Sequence, residues 1–341
     1  MKLKTILAAT LCTAAIPALA DETVSFASHG GAYQEGIRNA ILSHLPVDHG
    51  MTVVDYVLSG GIRDIRTKVR ANAVDIDVAE LYGGYCETAA REGLLAPLDY
   101  SMIPNAEGIP EHLRHEYWIG FTAYSTVLAW NTEVYGDSPP QNWTDFFDVE
   151  GFPGTRAASA DSSPTNMEMA LLSDGVAKDA MYPIDMDRAL AIWEEFKPDL
   201  TVGWATGAQA TQLALSQEVD MMAVWAARIE AAIREGAPYQ YTLTDAIMDV
   251  ECLVVPVNSP NPEGAMRLVN HLIDPAYQAN LPDFIPYGPM NQNAFALIEP
   301  EAASRIVTSP ENLARQLVSD MSYWADNIIE AQSRWDSVML Q

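Results

Sequence analysis

The chain has 341 residues, with 46 acidic and 19 basic side chains, and its formal net charge is −27. A nucleic-acid-binding protein needs a basic surface that follows the phosphates, so this charge argues against that class, and we expect no nucleic-acid partner. Hydrophobic residues make up 49% of the chain, which is enough for a folded core and argues against disorder. The length predicts about two domains.

The first twenty residues have the pattern of an export signal. Lys2 and Lys4 supply the basic start, residues 6–16 the apolar run, and residues 18–20 the small-residue cleavage site. We therefore predict a secreted mature chain that begins near Asp21. No later stretch approaches the roughly 18 uninterrupted apolar residues of a membrane span, so we expect no anchor in the mature chain.

Apolar runs and amphipathic stretches alternate from Asp21 onward, which is typical of strand–helix–strand units around a mostly parallel sheet. The predicted elements of the first part are strands at 24–27, 51–58 and 74–81 and helices at 33–45, 62–69 and from 86 to 93. Each of the three strands runs into a glycine pair, at 30–31, 60–61 and 83–84. Ligands bind at the carboxyl edge of such sheets, so the three pairs predict a site there. None of them matches a nucleotide-binding fingerprint.

A second alternating block follows from about 155 to 244. We predict a helix that opens at residue 163, two further helices at 187–196 and 207–217, and a strand at 219–225. Thr144 is predicted to cap a helix that precedes this block. Further on we predict a strand at 249–257, a helix at 262–273 and a tail segment at 322–338 that packs on one of the lobes. Extended segments near 121–131 and 244–252 are interpreted as two crossings between lobes.

No catalytic or metal-binding constellation can be assembled from the sequence. There is neither a G-x-S-x-G elbow nor an H-E-x-x-H pair. His112 and His115 are interpreted as part of a surface segment, and two cysteines outside the signal fit no zinc spacing. We therefore expect no metal and no cofactor. Cys86 and Cys252 are either a disulfide or two buried thiols, and the sequence leaves both open.

Acidic and aromatic residues near the second crossing are the strongest site candidates. Asp249 and Glu251 lie two apart on one predicted strand and therefore point to the same face, where they repel each other unless a cation is present. Trp225 ends a strand and Tyr287 lies in a Pro/Gly-rich loop, and aromatic faces attract ammonium groups. The alternative is that Glu251 is a solvated edge residue and Trp225 part of the core.

The chain resembles the periplasmic substrate-binding proteins of ABC transporters, and among them the spermidine/putrescine-binding group. The resemblance covers residues from Val24 to about Tyr287, and its best-matching segments are 174–176 with 182–189, 204–209, and 248–256 followed by 258–261. It implies an α/β fold of the two-lobed, type II-like kind, with two hinge crossings and a ligand cleft between the lobes. We expect a signal at 1–20, a first lobe of 21–125 plus 250–341 and a second lobe of 126–249.

The resemblance also implies roles for particular residues. Glu251, Trp225 and Tyr287 match positions that bind a polyamine. Asp249 stands where the family has an aromatic residue, and Ser162 and Thr165 replace acids at the start of the second lobe's helix. Such a helix start suits a carboxylate, so the site fits a zwitterion such as 4-aminobutyrate, while Asp161 leaves a polyamine open. The other cleft candidates lie beside the glycine pairs or in the 204–209 loop: His29, Tyr33, Glu80, Tyr82 and Trp204.

The function that follows is a periplasmic receptor that closes two lobes around a small amine or amino acid and delivers it to an ABC permease in the inner membrane. We expect a monomer with no enzymatic activity. A secreted α/β hydrolase and a receptor that presents its ligand to a membrane sensor are the alternatives. A ferric-ion receptor would need adjacent tyrosines near the hinge, and the sequence has none there.

Overall fold

A computed structural model of the chain describes residues 22–160, 163–285 and 287–339. The strands in these ranges form one mixed sheet in the order β2-β1-β3-β8-β4-β7-β5-β6, with β10 added beside β8 and β9 beside β4. The strands are β1 Glu22–Ser28, β2 Met51–Val57, β3 Val78–Tyr82, β4 Trp118–Asn131, β5 Arg156–Ser159, β6 Leu200–Trp204, β7 Met221–Trp225, β8 Tyr239–Val254, β9 Gly288–Pro289 and β10 Leu317–Val318.

Helices cover both halves of this sheet. The α-helices are α1 Gly31–Ile37, α2 Leu45–His49, α3 Ile62–Arg70, α4 Gly83–Arg91, α5 Thr132–Tyr135, α6 Trp143–Phe147, α7 Ser163–Ser173, α8 Met186–Phe196, α9 Gly207–Leu215, α10 Ala226–Arg234, α11 Pro262–Leu272, α12 Pro275–Gln278, α13 Leu281–Phe284, α14 Pro300–Ala303, α15 Pro310–Arg315 and α16 Met321–Met339. No helix among the described residues is apolar over a length that could cross a membrane.

Two long antiparallel strands, β4 with 14 residues and β8 with 16, join the two halves of the sheet. On one side of this pair β1 runs parallel to β2 and β3, and on the other β5 runs parallel to β6 and β7. The predicted crossings at 121–131 and 244–252 lie inside β4 and β8. The predicted α/β fold with two connections between lobes is confirmed.

Three buried clusters form the core. The first packs around β1, β3 and α11, with Phe26 and Phe121 wholly buried. The second and third contain residues of the other half of the sheet, such as Trp143 in the second and Val224 in the third. The C-terminal helix α16 packs against α4 of the first half and against α7 and α8 of the second. Its residue Trp335 belongs to the second cluster, so the tail helix contacts both halves rather than the first alone.

Several element boundaries differ from the predictions. The predicted helix 33–45 is divided into α1, a π-helical turn at Arg38–Leu42 and α2. Thr144 is not a cap: α6 begins at Trp143, and the side chain of Asn142 accepts from the Asp145 amide. β3 begins at Val78, and the residue before it bonds Ser25 of β1 through side chains: the Asp77 carboxylate accepts from the Ser25 amide, and the Asp77 amide donates to the Ser25 hydroxyl.

Cys86 and Cys252 form a disulfide, with their Cα atoms 6.4 Å apart. Both residues are fully buried, and the bond joins the first turn of α4 to β8. The alternative of two free thiols is thereby excluded. Because residue 252 follows Glu251 directly, the bond fixes the strand next to a predicted ligand contact.

Candidate ligand-binding cleft

Six polar and aromatic side chains share one face at the centre of the sheet. Tyr82 pairs with Glu251 across β3 and β8, while Thr122 pairs with Glu251 and Tyr124 with Asp249 across β4 and β8. Residues directly opposite each other, and residues two apart on one strand, point to the same side of a sheet. Glu80, two residues before Tyr82, therefore joins this face. The pattern brings three predicted acids together.

Glu80 and Glu251 are almost completely buried, with exposed fractions of 0% and 1%. Glu80 accepts hydrogen bonds from the Ser28 hydroxyl at 2.6 Å and from the Tyr33 hydroxyl. Glu251 Oε2 lies 3.1 Å from His29 Nε2. The predicted residues thus form two adjacent hydrogen-bonded pairs, Tyr33 with Glu80 and His29 with Glu251, and polar atoms of His29, Glu80 and Glu251 lie within 4.8 Å of one another. These side chains, with Ser28, come from β1 and the loop after it, from α1, from β3 and from β8.

The carboxyl groups of the cleft resist ionisation. Burial raises the pKa of Glu80 to about 7, with a further rise from the negative charge of Glu251. Burial raises the pKa of Asp249 to about 6, and burial together with the charge of Asp249 raises the pKa of Glu251 well above its usual range. A bound cation would favour the ionised forms, so these groups are suited to receive one.

No lysine or arginine of the described chain neutralises these acids. The ion pairs that the structure contains lie elsewhere, and the one contact of this type among the described cleft residues is between His29 and Glu251. Buried carboxylates without a positive partner are costly. The arrangement is therefore incomplete without a cation from outside the chain, a proton or an ammonium group.

Aromatic rings surround the acids and continue across the cleft. The ring of His29 stacks on Tyr82 with centroids 4.5 Å apart, and Tyr33 meets Tyr287 edge-on at 4.8 Å. Tyr124 contacts both Tyr287, at 5.9 Å, and Trp225, at 6.0 Å. These rings place aromatic faces and edges next to the carboxyl group of Glu251. Such surroundings favour an organic ammonium over a hydrated ion.

Trp204 was predicted to line the cleft, but the structure places its side chain in the core. Its side chain is 1% exposed, its indole nitrogen donates to the Ala223 carbonyl at 3.1 Å, and its ring meets the Trp225 ring edge-on at 5.1 Å. It lies in the third core cluster behind Trp225. The sequence pattern of the 204–209 loop could not show this, because a tryptophan before a glycine-containing turn fits either a cleft or a core.

Thr165 lies in the first turn of α7 and lines a cavity of about 210 Å³ together with Tyr124 and Asp249. This cavity also borders the start of α4 and the start of α16, so it lies between the two halves of the molecule. A larger groove of about 900 Å³, lined by His29 and Tyr82, continues toward α3. The predicted residues Asp161 and Ser162 lie outside the described residues.

Glu168 is an acid that sequence reasoning missed. It lies one turn after Thr165 on α7 and is fully buried. Its Oε1 accepts from the Trp324 indole at 2.7 Å, from the Ser319 hydroxyl at 2.8 Å and from the Tyr182 hydroxyl, while its Oε2 has no partner among the described residues. Burial and the charge of Asp249 raise its pKa to about 7. The start of α7 therefore has an acid nearby, but this acid lies within the helix and not before its first residue.

Arg228 is the second missed residue, a cation whose charge acts on two rings of the cleft. Burial raises the pKa of the Tyr82 and Tyr287 hydroxyls, and the positive charge of Arg228 opposes both rises. Its guanidinium has no hydrogen bond or ion pair with the part of the chain that the structure describes. Gly207 leaves room for it, since a Cβ there would collide with the side chain. A cation in the first turn of α10 opposes the helix dipole, and that conflict was a usable signal.

The sequence matches the family of bacterial extracellular solute-binding proteins over residues 48–314, and the chain belongs to that family. This is a family of solute-binding proteins and not of enzymes. The chain is a substrate-binding protein of an ABC transporter, as the resemblance noted in the sequence implied.

Similar proteins cover nearly the whole chain. The gamma-aminobutyric acid-binding protein of Pseudomonas aeruginosa is 27% identical over 332 residues, which are 96% of this chain and 94% of that protein. The solved structure of an ABC transporter substrate-binding protein from Bradyrhizobium japonicum is 38% identical, with a TM-score of 0.88 over 93% of this chain and 99% of that one. A solved GABA receptor is 30% identical, with a TM-score of 0.85 over 93% of this chain and 98% of that one.

Proposed function

We propose that this protein is the periplasmic receptor for a small zwitterion of the 4-aminobutyrate type, which it delivers to an ABC permease in the inner membrane. The observation that carries the proposal is the charge arrangement of the cleft. Glu80, Asp249 and Glu251 form an acidic face without a lysine or arginine partner in the described chain, and Arg228 contributes a positive charge from α10. A ligand with opposite charges at its two ends complements both.

The ammonium end belongs at Glu251 and Asp249. Both carboxyl groups project from one face of β8, and the rings of Tyr287, Tyr124 and Trp225 form the adjacent wall. A charge-assisted hydrogen bond contributes about 1.5 to 3 kcal/mol and an aromatic face about 0.5 to 2 kcal/mol. Binding would also remove the repulsion between the two carboxylates.

The carboxylate end is assigned to Arg228 and not to the helix start that the sequence suggested. Thr165 does line the cavity, but Asp249 lies beside it and Glu168 lies one turn further along α7. A carboxylate placed there would meet two acids. A guanidinium offers a planar pair of donors that matches a carboxylate.

The similarity to a gamma-aminobutyric acid-binding protein and to a GABA receptor supports this ligand class. A polyamine is the second candidate, because Glu168 and Asp249 could receive a second ammonium group near the cavity at α7. The two candidates differ in whether Arg228 helps or hinders binding.

Thermal unfolding of residues 21–341, refolded to remove carried-over ligand, tests the proposal. A ligand at 100 times its dissociation constant stabilises the fold by about 2.7 kcal/mol. We expect 4-aminobutyrate to raise the midpoint and Arg228→Gln to reduce that shift. Arg234→Gln is the matched control, since Arg234 lies on the same helix and contacts Glu230 instead of the cleft rings. A shift with putrescine alone, kept in Arg228→Gln, would favour the polyamine.

The lobe boundaries also remain a proposal. We assign 21–125 and 250 to about 316 to the first lobe and 126–249 to the second, and we add α16 as a segment shared by both because it contacts α4, α7 and α8. The export signal at 1–20 and the monomeric state complete the proposal. Mass spectrometry of the exported protein tests the cleavage site, and sedimentation of the mature chain tests the oligomeric state.

A further inference from the structure

We propose that His29, Glu80 and Glu251 also bind a divalent transition-metal ion of the zinc type, and that this ion competes with the ammonium group for Glu251. The inference rests on the geometry of the three side chains and does not depend on which solute the receptor carries. It departs from the sequence-based expectation of no metal.

The distances between the ligand atoms of the three side chains suit a single metal ion. One nitrogen of His29 and one oxygen each of Glu80 and Glu251 lie within 4.8 Å of one another. Zinc binds nitrogen and oxygen at about 2.0 to 2.2 Å, so two ligands of a tetrahedral ion lie about 3.4 Å apart. The 3.1 Å separation between His29 Nε2 and Glu251 Oε2 is close to that value. A small rotation of Glu80 completes the set.

The neighbours of these ligands hold them in place. The Ser28 hydroxyl donates to Glu80 Oε2 at 2.6 Å, the Tyr33 hydroxyl donates to Oε1, and the ring of Tyr82 stacks on His29. Partners of this kind fix the orientation of metal ligands, and their loss commonly weakens metal binding 10- to 100-fold. No lysine or arginine of the described chain forms an ion pair with either carboxylate, so no internal cation has to be displaced.

The three ligand residues, His29, Glu80 and Glu251, are called the triad below, and their position leaves one side of the ion open. Glu80 and Glu251 are buried, whereas His29 is half-buried and lines the groove toward α3. Three protein ligands with an open fourth position is the arrangement of accessible zinc sites, in which water or a ligand oxygen completes the coordination. An imidazole nitrogen favours zinc, nickel or cobalt over calcium and magnesium, which prefer oxygen ligands.

Calorimetric titration of the ligand-free mature protein with zinc chloride tests the site. We expect one binding event per chain, weakened at least tenfold in His29→Ala and also weakened in Ser28→Ala. His112→Ala is the matched control, because His112 is exposed and contributes nothing to the triad, and it should bind as the unchanged protein does. Calcium and magnesium should not reproduce the event.

Cobalt provides a readout that non-specific binding to an acidic surface would not give. Cobalt in a site with a nitrogen ligand should give a visible absorption band in the unchanged protein and in His112→Ala, and the band should be absent in His29→Ala. Thermal unfolding without metal confirms that each variant is folded. Equal zinc affinity in His29→Ala, or no saturable binding at all, would overturn the proposal.

Competition separates this proposal from the proposed function. We expect the apparent dissociation constant of 4-aminobutyrate to rise linearly with the concentration of free zinc, as it does for two ligands that exclude each other. If no zwitterion or amine binds, the solute proposal fails while the zinc titration still decides the metal site. If zinc does not bind, the Arg228→Gln experiment still decides the solute.

Discussion

Asp249 and Glu251 lie two residues apart on β8 and face Tyr124 and Thr122 of β4 across an antiparallel pair. Burial raises the pKa of both carboxyl groups, and the negative charge of Asp249 raises the pKa of Glu251 further. A pair of this kind gains free energy when a cation enters, because the cation offsets the repulsion and favours ionisation. In the proposed function, the strand that joins the two lobes also binds the positive end of the ligand.

Glu251→Gln should weaken an ammonium-bearing ligand by about 1.5 to 3 kcal/mol, because a charge-assisted bond is replaced by a neutral one. Isothermal titration with 4-aminobutyrate measures this loss. Glu116→Gln is a control of the same chemistry outside the cleft. Unchanged affinity in Glu251→Gln would remove this residue from the site.

The ligand-free protein should lose stability as the pH rises from about 4.5 to about 7. Glu80 titrates near 4.5 when unfolded and near 7 when folded, so between these values the folded state binds the extra proton and raising the pH favours unfolding. The loss should be of the order of 1 to 3 kcal/mol for this group. Urea denaturation at several pH values measures it.

Glu80→Gln provides the internal control for this pH dependence. Removal of the carboxyl group should flatten the decline, while the general repulsion of a strongly acidic surface remains in both proteins. If the slopes of the two proteins agree, Glu80 does not cause the decline. A rise in stability over the same window would contradict the account of buried, unneutralised acids.

Trp225→Ala should weaken every cleft ligand and leave unfolding cooperative, because its ring is partly exposed and borders the ligand space beside Tyr124. Trp204→Ala should instead lower the free energy of unfolding by about 3 to 5 kcal/mol, since that ring is buried in the core. Comparing ligand titrations with urea denaturation separates the two roles. Loss of folding in Trp225→Ala would identify it as a core residue.

The double variant Cys86→Ser/Cys252→Ser should lower the free energy of unfolding by about 2 to 5 kcal/mol, the usual cost of losing a native disulfide. Urea denaturation under non-reducing conditions measures the change, and the unchanged protein with reductant provides the comparison. A stability equal to that of the unchanged protein would show that the bond contributes nothing to folding.

Much of the fold followed from local pattern, because buried strands such as β1 and β7 are short apolar runs. The shared face of Asp249 and Glu251 on β8 also followed, since alternation along one strand is visible in the sequence. The binding roles of Glu251, Asp249 and Tyr287 stay predictions. The burial of Trp204 and the approach of Arg228 did not, because both depend on how α9 and α10 pack in the second lobe. Glu168 was missed because its partners, Ser319 and Trp324, lie about 150 residues away.

The most direct test of the central claim is the affinity of 4-aminobutyrate for four proteins: the unchanged chain, Glu251→Gln, Arg228→Gln and the double variant. Each single change should weaken binding at least tenfold, because each removes the partner of one ligand charge. Putrescine should lose affinity only with Glu251→Gln. If Arg228→Gln binds 4-aminobutyrate as tightly as the unchanged protein, or binds it more tightly, the zwitterion is not held between these two residues.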